Sequence, residues 1–135
     1  MSATNRGSPR QAHDYYRTPL WCVQALYMAV DLPSPTLDPC AGTGALLEAA
    51  RGLSWDDESP MRGIEQQAHL AAASRVPLEV GDGLAVSWEG EHILMNPPYN
   101  AALEWVEKGV REAASVTALL RLAFLASQRR KPFME

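Results

Sequence analysis

The run His92-Ile-Leu-Met-Asn-Pro-Pro-Tyr99 joins three consecutive apolar residues to a double proline, and little besides a strand feeding a stiff turn satisfies both halves. Ile93, Leu94 and Met95 are too few for a helix and predict a short buried strand. Asn96 precedes a proline, which disfavours helical backbone, so the strand ends there in an extended residue. Pro97 and Pro98 have fixed φ and no N–H; the turn therefore offers carbonyl oxygens with few competing donors, and the Asn96 amide oxygen adds another acceptor. Such a turn suits a planar amino group. Tyr99 adds an aromatic face for a flat ring carrying that group, an interaction worth roughly 1–3 kcal/mol per base in single-strand binders. The same residues also make sense as a rigid strand-to-helix connection with Asn100 capping the next helix.

A second stretch, Asp38-Pro39-Cys40-Ala41-Gly42-Thr43-Gly44, follows a short predicted strand, Thr36-Leu37-Asp38. Gly42 and Gly44 let the backbone bend sharply and approach a ligand, and Ala45 to Arg51 continues as a helix with Leu46, Leu47 and Ala50 inward and Gly52 as its C-cap. Gly-x-Gly is a weak signal alone, and the third glycine of the dinucleotide fingerprint is missing. Asp38 argues against a phosphate, which a carboxylate would repel. Arg62-Gly63-Ile64-Glu65 predicts a second strand ending in an acid about 20 residues beyond Gly44, the offset at which a carboxylate meets ribose hydroxyls. A favourable charge at the start of a helix over Gln66 to Ser74 explains Glu65 equally well. Val76 to Val80 is a third strand, and Gly81-Asp82-Gly83 after it is a turn that needs no function. Trp88 either covers a bound ring or plugs the core. His92 has no partner identifiable from sequence.

Strands alternating with helices predict an α/β fold: an open, mostly parallel sheet with helices on both faces and a ligand at the topological switch point. Thr18 and Pro19 read as N-cap and first residue of a helix whose apolar stripe is Leu20, Val23, Leu26, Tyr27 and Val30. A later helix runs from Asn100 to about Ala114, with Leu103, Val106, Val110 and Ala113 inward and the pairs Glu104/Lys108 and Glu107/Arg111 on a solvated face. Val116 to Leu120 starts a fifth strand, continuing towards Leu125. At 135 residues the chain makes one domain over 14–135 behind a flexible leader, 1–13. No apolar run reaches membrane-span length and the leader lacks a signal-peptide core, so a cytoplasmic protein is expected. Cys22 and Cys40 fit no metal-ligand spacing, and no metal is expected. The net charge of −4 is the wrong sign for a surface that grips nucleic acid throughout. A local contact remains open to the basic tail Gln128-Arg129-Arg130-Lys131-Pro132.

Taken together, the Asp38–Gly44 and Asn96–Tyr99 stretches resemble motifs of the Rossmann-like methyltransferases that use S-adenosyl-L-methionine (SAM) and act on exocyclic or amide nitrogen, most of all the DNA adenine-N6 enzymes. The resemblance implies SAM over Asp38, Cys40, Ala41, Gly42 and Gly44, with Glu65 on the ribose and Asp82 accepting from the adenine amino group. It further implies that Tyr16 and Thr18, in a Tyr-x-Thr-Pro element, reach the methionine end of SAM. The catalytic set it implies is Asn96, Pro97, Pro98 and Tyr99, with Asn96 touching both acceptor amine and cofactor. DNA is the implied partner. RNA adenine-N6 or guanine-N2 enzymes and release-factor glutamine-N5 enzymes share the turn, and the leader Asp-Tyr-Tyr-Arg-Thr-Pro favours the DNA type. Family members have seven strands against five counted here, which implies a sheet incomplete at its C-terminal side and a missing target-recognition segment. The expected consequences are weak methylation by the chain alone, or SAM binding without catalysis, and an apolar edge from Val116 to Leu122 open to a second copy or a partner.

Overall fold

The apolar runs become five parallel strands in a computed structural model of the chain, which describes residues 17–53, 60–120 and 124. They are β1 (Leu37–Asp38), β2 (Arg62–Glu65), β3 (Glu79–Val80), β4 (His92–Met95) and β5 (Ser115–Ala118). Their order is β3-β2-β1-β4-β5, every neighbouring pair parallel. The chain winds outward from β1 to β3, then returns to place β4 on the other side of β1. That reversal leaves a crevice between the C-terminal ends of β1 and β4, where open α/β sheets bind ligands. Thr36 lengthens the centre of the ladder: its N–H donates to His92 O (2.9 Å) and its carbonyl accepts from Arg62 N (2.8 Å).

Of the four α-helices among the described residues, α1 (Leu20–Ala29) precedes β1, while α2 (Ala45–Leu53), α3 (Ala68–Ala72) and α4 (Ala102–Glu112) join successive strands. Side chains alternate along β4 and so divide the core. Ile93 and Met95 face Leu103, Trp105 and Val106 of α4, together with Leu37, Ile64 and Trp88. Leu94 points the other way, against Val23 of α1 and Leu46 and Ala50 of α2. Helices therefore cover both faces of the sheet.

Several expectations change. Of the predicted α1 stripe only Val23 is fully buried, and Leu20 is 56% exposed. That helix is apolar on nearly every side, so spacing could not choose a face. Its N-cap is Pro19, whose carbonyl accepts from Cys22 N at 3.1 Å, and not Thr18. α2 runs through Gly52 to Leu53. α3 begins two residues late because Gln67, extended at its N-cap, donates its N–H to the Glu65 carboxylate. β3 shrinks to two residues beyond Pro77, which has no N–H to give a ladder.

On α4, Val110 is 63% exposed while Lys108 is buried. Lys108 turns away from Glu104, donates to both oxygens of Glu112 (3.0 and 2.8 Å), and lies 5.2 Å from the centre of a Trp88 ring. Gly109 explains the rotation: a Cβ there would sit 2.6 Å from Val116 Cγ2, so the helix lies on β5 along its glycine. Trp88 is a core plug. It is fully buried, stacks on Trp105 with ring centres 6.1 Å apart, and donates its ring N–H to Gly83 O at 2.9 Å. His92 finds Ser115 across the β4–β5 pair, Nδ1 to Oγ 2.8 Å.

β5 ends at Ala118 and is the last strand on its side among the described residues. The leader 1–13, Tyr16, the predicted continuation of β5 from residue 121 onward and the basic tail 128–132 lie outside the described residues, apart from Phe124, which is buried in the α4-side core. No helix among the described residues is long and apolar enough to cross a membrane.

Candidate functional site

β1 delivers Asp38 to the crevice with 1% of its surface exposed. One carboxylate oxygen accepts from Cys40 N at 3.1 Å. Burial raises the carboxyl to about 7; the Cys40 N–H pulls the other way and the nearby Glu65 charge adds to the rise. Gly42 (φ +59°) and Gly44 (φ +77°) then turn the chain twice in the left-handed region that favours glycine.

β2 delivers Glu65, also buried. Oε1 accepts from Gly42 N and Oε2 from Gln67 N, both at 2.8 Å, so this acid ties the glycine loop to the start of α3. Each oxygen retains a second acceptor position for a ligand.

β4 delivers Asn96 and the buried Pro97. The Asn96 side-chain N–H donates to Thr18 Oγ1 at 2.9 Å, and one residue earlier the Arg17 guanidinium donates to Thr43 Oγ1 at 2.6 Å. The Arg17–Thr18 segment is thereby fastened to both loops. Cys40 stands between them too. Burial first, and then the Asp38 and Glu65 charges, push its thiol well above the usual range, while hydrogen bonding to the Asn96 backbone opposes the rise. Such a thiol stays protonated and is a poor nucleophile.

These elements border an open cleft of ≈ 740 Å³, counted out to the solvent at its mouth. Thr18, Asp38, Cys40, Ala41, Gly42, Glu65, Asn96, Pro97, Pro98 and Tyr99 all line it. Gly44 does not. A Cβ at Gly44 would lie 2.5 Å from Ser74 Oγ and 2.7 Å from Val76 Cγ2, so this glycine serves a close approach to the segment before β3. Asp82 is exposed, lies off the cleft lining, and accepts from Leu84 N at 3.0 Å as the cap of a short 3-10 turn over Gly83–Ala85. Its neighbour Gly83 lines the cleft instead, pressed so close to β1 that a Cβ would fall 1.9 Å from Pro39 O. Gln66, Gln67 and Trp105 also line the wall without having been singled out in the sequence. The glutamines could have been found as the residues that follow Glu65; Trp105 gave no signal distinct from a core residue.

The chemistry of the cleft is divided. Its Asp38–Glu65 end offers carboxylates and suits hydroxyls or positive charge, while its Asn96–Tyr99 end offers neutral acceptors beside an aromatic ring. No family model matches the chain, and no curated protein matches it as a relative.

Proposed function

We propose that the chain is a SAM-dependent methyltransferase of Rossmann-like fold that acts on the exocyclic N6 amine of adenine in DNA. The observation that carries this reading is convergence. Residues 38–42, Glu65 and residues 96–99, distant in sequence, line one cleft at the reversal of strand order. The donor set fits the cofactor. Two buried carboxylates would repel a dinucleotide's phosphates but suit an adenosyl group joined to a cationic sulfur.

When bound, SAM supplies an electrophilic methyl carbon on a positively charged sulfur. Glu65 keeps acceptor positions for ribose hydroxyls, and Asp38 places negative charge, once ionised, in the floor of the cleft. Adenine N6 is a poor nucleophile because its lone pair is delocalised into the ring. The Asn96 oxygen and the Pro97 carbonyl would accept its two N–H bonds, hold the nitrogen, and favour pyramidalisation. Tyr99 offers a face for the ring. No strong base is needed before transfer, because the proton leaves once nitrogen carries the new methyl group. Catalysis rests on positioning and complementary dipoles, and a duplex must give up its target base to this cleft.

Nucleoside mass spectrometry after incubation with SAM and, in parallel, DNA, RNA and release factor tests the proposal; N6-methyladenine in DNA is expected, and methylated RNA or glutamine would reassign the substrate. Asn96→Ala is expected to lose methyl transfer while calorimetry shows cofactor affinity retained. Turnover that survives this substitution would defeat the role given to Asn96.

A further inference from the structure

Helix α1 contains no Asp, Glu, Lys, Arg or His, whereas α2 and α4 both carry charged residues. Its buried side is centred on Val23, which packs with Leu46, Ala50 and Leu94. The opposite side is not polar, as it would be on a helix that meets only water. Trp21 is 68% exposed and Met28 89%, and Ala25 between them is exposed as well. At about 100° per residue, positions 21, 25 and 28 fall within roughly 60° of one another around the helix axis, so they form one stripe directed away from Val23. We propose that this stripe is the contact between two copies of the chain, which pack their α1 helices antiparallel about a two-fold axis passing beside Gln24 and Ala25.

Charge and spacing select this occupant. A helix that lies on a membrane surface or grips nucleic acid draws on cations, and α1 has none. A protein face remains, and the stripe is complementary to itself. Reversing one helix about the midpoint of Trp21 and Met28 brings each Trp21 opposite the partner's Met28, and does so twice, as a two-fold contact must. An indole and a thioether attract one another beyond the area they bury. Between the two contacts Ala25 has only a methyl group, which lets the helices approach closely, and Gln24 lies beside the axis, where two amides can bond to each other. Each copy carries a net charge of −4, so two copies repel over much of their surface; joining through an uncharged helix places no ion in the contact. With Leu20 at the rim, 56% exposed, the patch amounts to on the order of 500 Å² per copy, or about 1,000 Å² for the pair, the lower end of specific interfaces. The dimer therefore exchanges with monomer.

Sedimentation velocity of the full chain, from micromolar to near-millimolar concentration, tests the proposal. A concentration-dependent equilibrium between monomer and dimer is expected. Ala25→Glu sets two carboxylates against each other at the axis and should raise the dimer Kd about tenfold or more. Residue 25 is exposed, so the melting of this variant should match that of the unaltered chain at a concentration where both are monomers. Trp21→Glu and Met28→Lys should each associate more weakly alone, and an equimolar mixture of the two should associate more tightly than either, because the antiparallel arrangement brings the introduced carboxylate against the introduced ammonium. A chain that stays monomeric throughout the range overturns the proposal. So does a dimer whose Kd does not move in Ala25→Glu, which would assign the association to another surface such as the β5 edge. A mixture that associates no better than the single variants overturns it as well, because the helices would not then be antiparallel. None of these outcomes depends on methyl transfer, so the functional reading above stands or falls separately.

Discussion

Asp38 sits where its charge is least welcome, which makes it a place where stability and binding oppose one another. Its carboxyl is raised from 3.8 to about 7, chiefly by burial. Below pH 3.8 the folded and unfolded chains both hold the proton and the group has no effect. Between there and pH 7 the unfolded chain ionises while the folded one keeps its proton, so stability falls as pH rises; above 7 the loss is complete, at up to about 4 kcal/mol for so buried a group. Asp38→Asn retains an acceptor for the Cys40 N–H and removes the titration. It should melt higher than the unaltered chain at pH 8, melt about equally near pH 4, and bind SAM more weakly at pH 8. Equal melting at pH 8 would show that Asp38 is not strained by burial. Glu65→Ala should cost about 1–3 kcal/mol of SAM affinity in calorimetry, since it removes the proposed ribose acceptor and also frees the N–H groups of Gly42 and Gln67. Unchanged affinity would remove Glu65 from the site. Asp38, Glu65 and Asn96 were legible in the sequence because each stands where an apolar run stops, and a parallel sheet gathers such stops at one edge. Asp82 was harder, because which residue of Gly81-Asp82-Gly83 faces the cleft depends on the direction of the turn. Sequence spacing does not encode that direction; the contact of Gly83 with Pro39 does.

At the level of elements, the contact between the Gly83–Ala85 turn and the loop after β1 sets one wall of the cleft. Gly83→Ala would place a methyl group 1.9 Å from Pro39 O, and backbone on either side must shift. A loss of roughly 1–3 kcal/mol, typical of overpacking, is expected in denaturant unfolding, with weaker SAM binding as the wall moves. Gly52→Ala is the contrast. It lies in α2 with nothing near the added Cβ, so it should gain about 0.5–1 kcal/mol and leave SAM affinity alone. If both substitutions behaved alike, the Gly83 contact would not be setting the wall. The bounds of β2 and β4 could be read directly because charged or proline residues flank short apolar runs. The buried face of α4 could not. Its charges predicted Lys108 outward beside Glu104, whereas the ammonium of Lys108 lies over a ring of Trp88, a neighbour 20 residues away that no helical pattern reveals. A cationic side chain can satisfy both environments, its ammonium lying over an aromatic ring while donating to Glu112.

For the whole molecule, the question raised by a net charge of −4 is where a polyanion could be held. The cations of the described residues are Arg17, Arg51, Arg62, Arg75, Lys108 and Arg111. Arg62 pairs with Glu79 and Glu91, Arg75 with Glu48, and Lys108 and Arg111 with Glu112, so much of this charge is already answered by carboxylates. Arg17 stands at the glycine loop, where a nucleic acid entering the cleft would pass close to it. Most remaining phosphate contacts would then fall to cations outside the described residues, of which Arg129, Arg130 and Lys131 are the densest group. Each phosphate neutralised on duplex DNA contributes about −0.9 to the slope of log affinity against log salt concentration, so replacing these three by alanine should reduce the slope by about 2–3 and weaken DNA binding at low salt. SAM affinity should not change, because the cleft lining among the described residues already contains the proposed cofactor contacts. A slope that stays the same in the triple variant would assign the phosphate contacts to other cations of the chain.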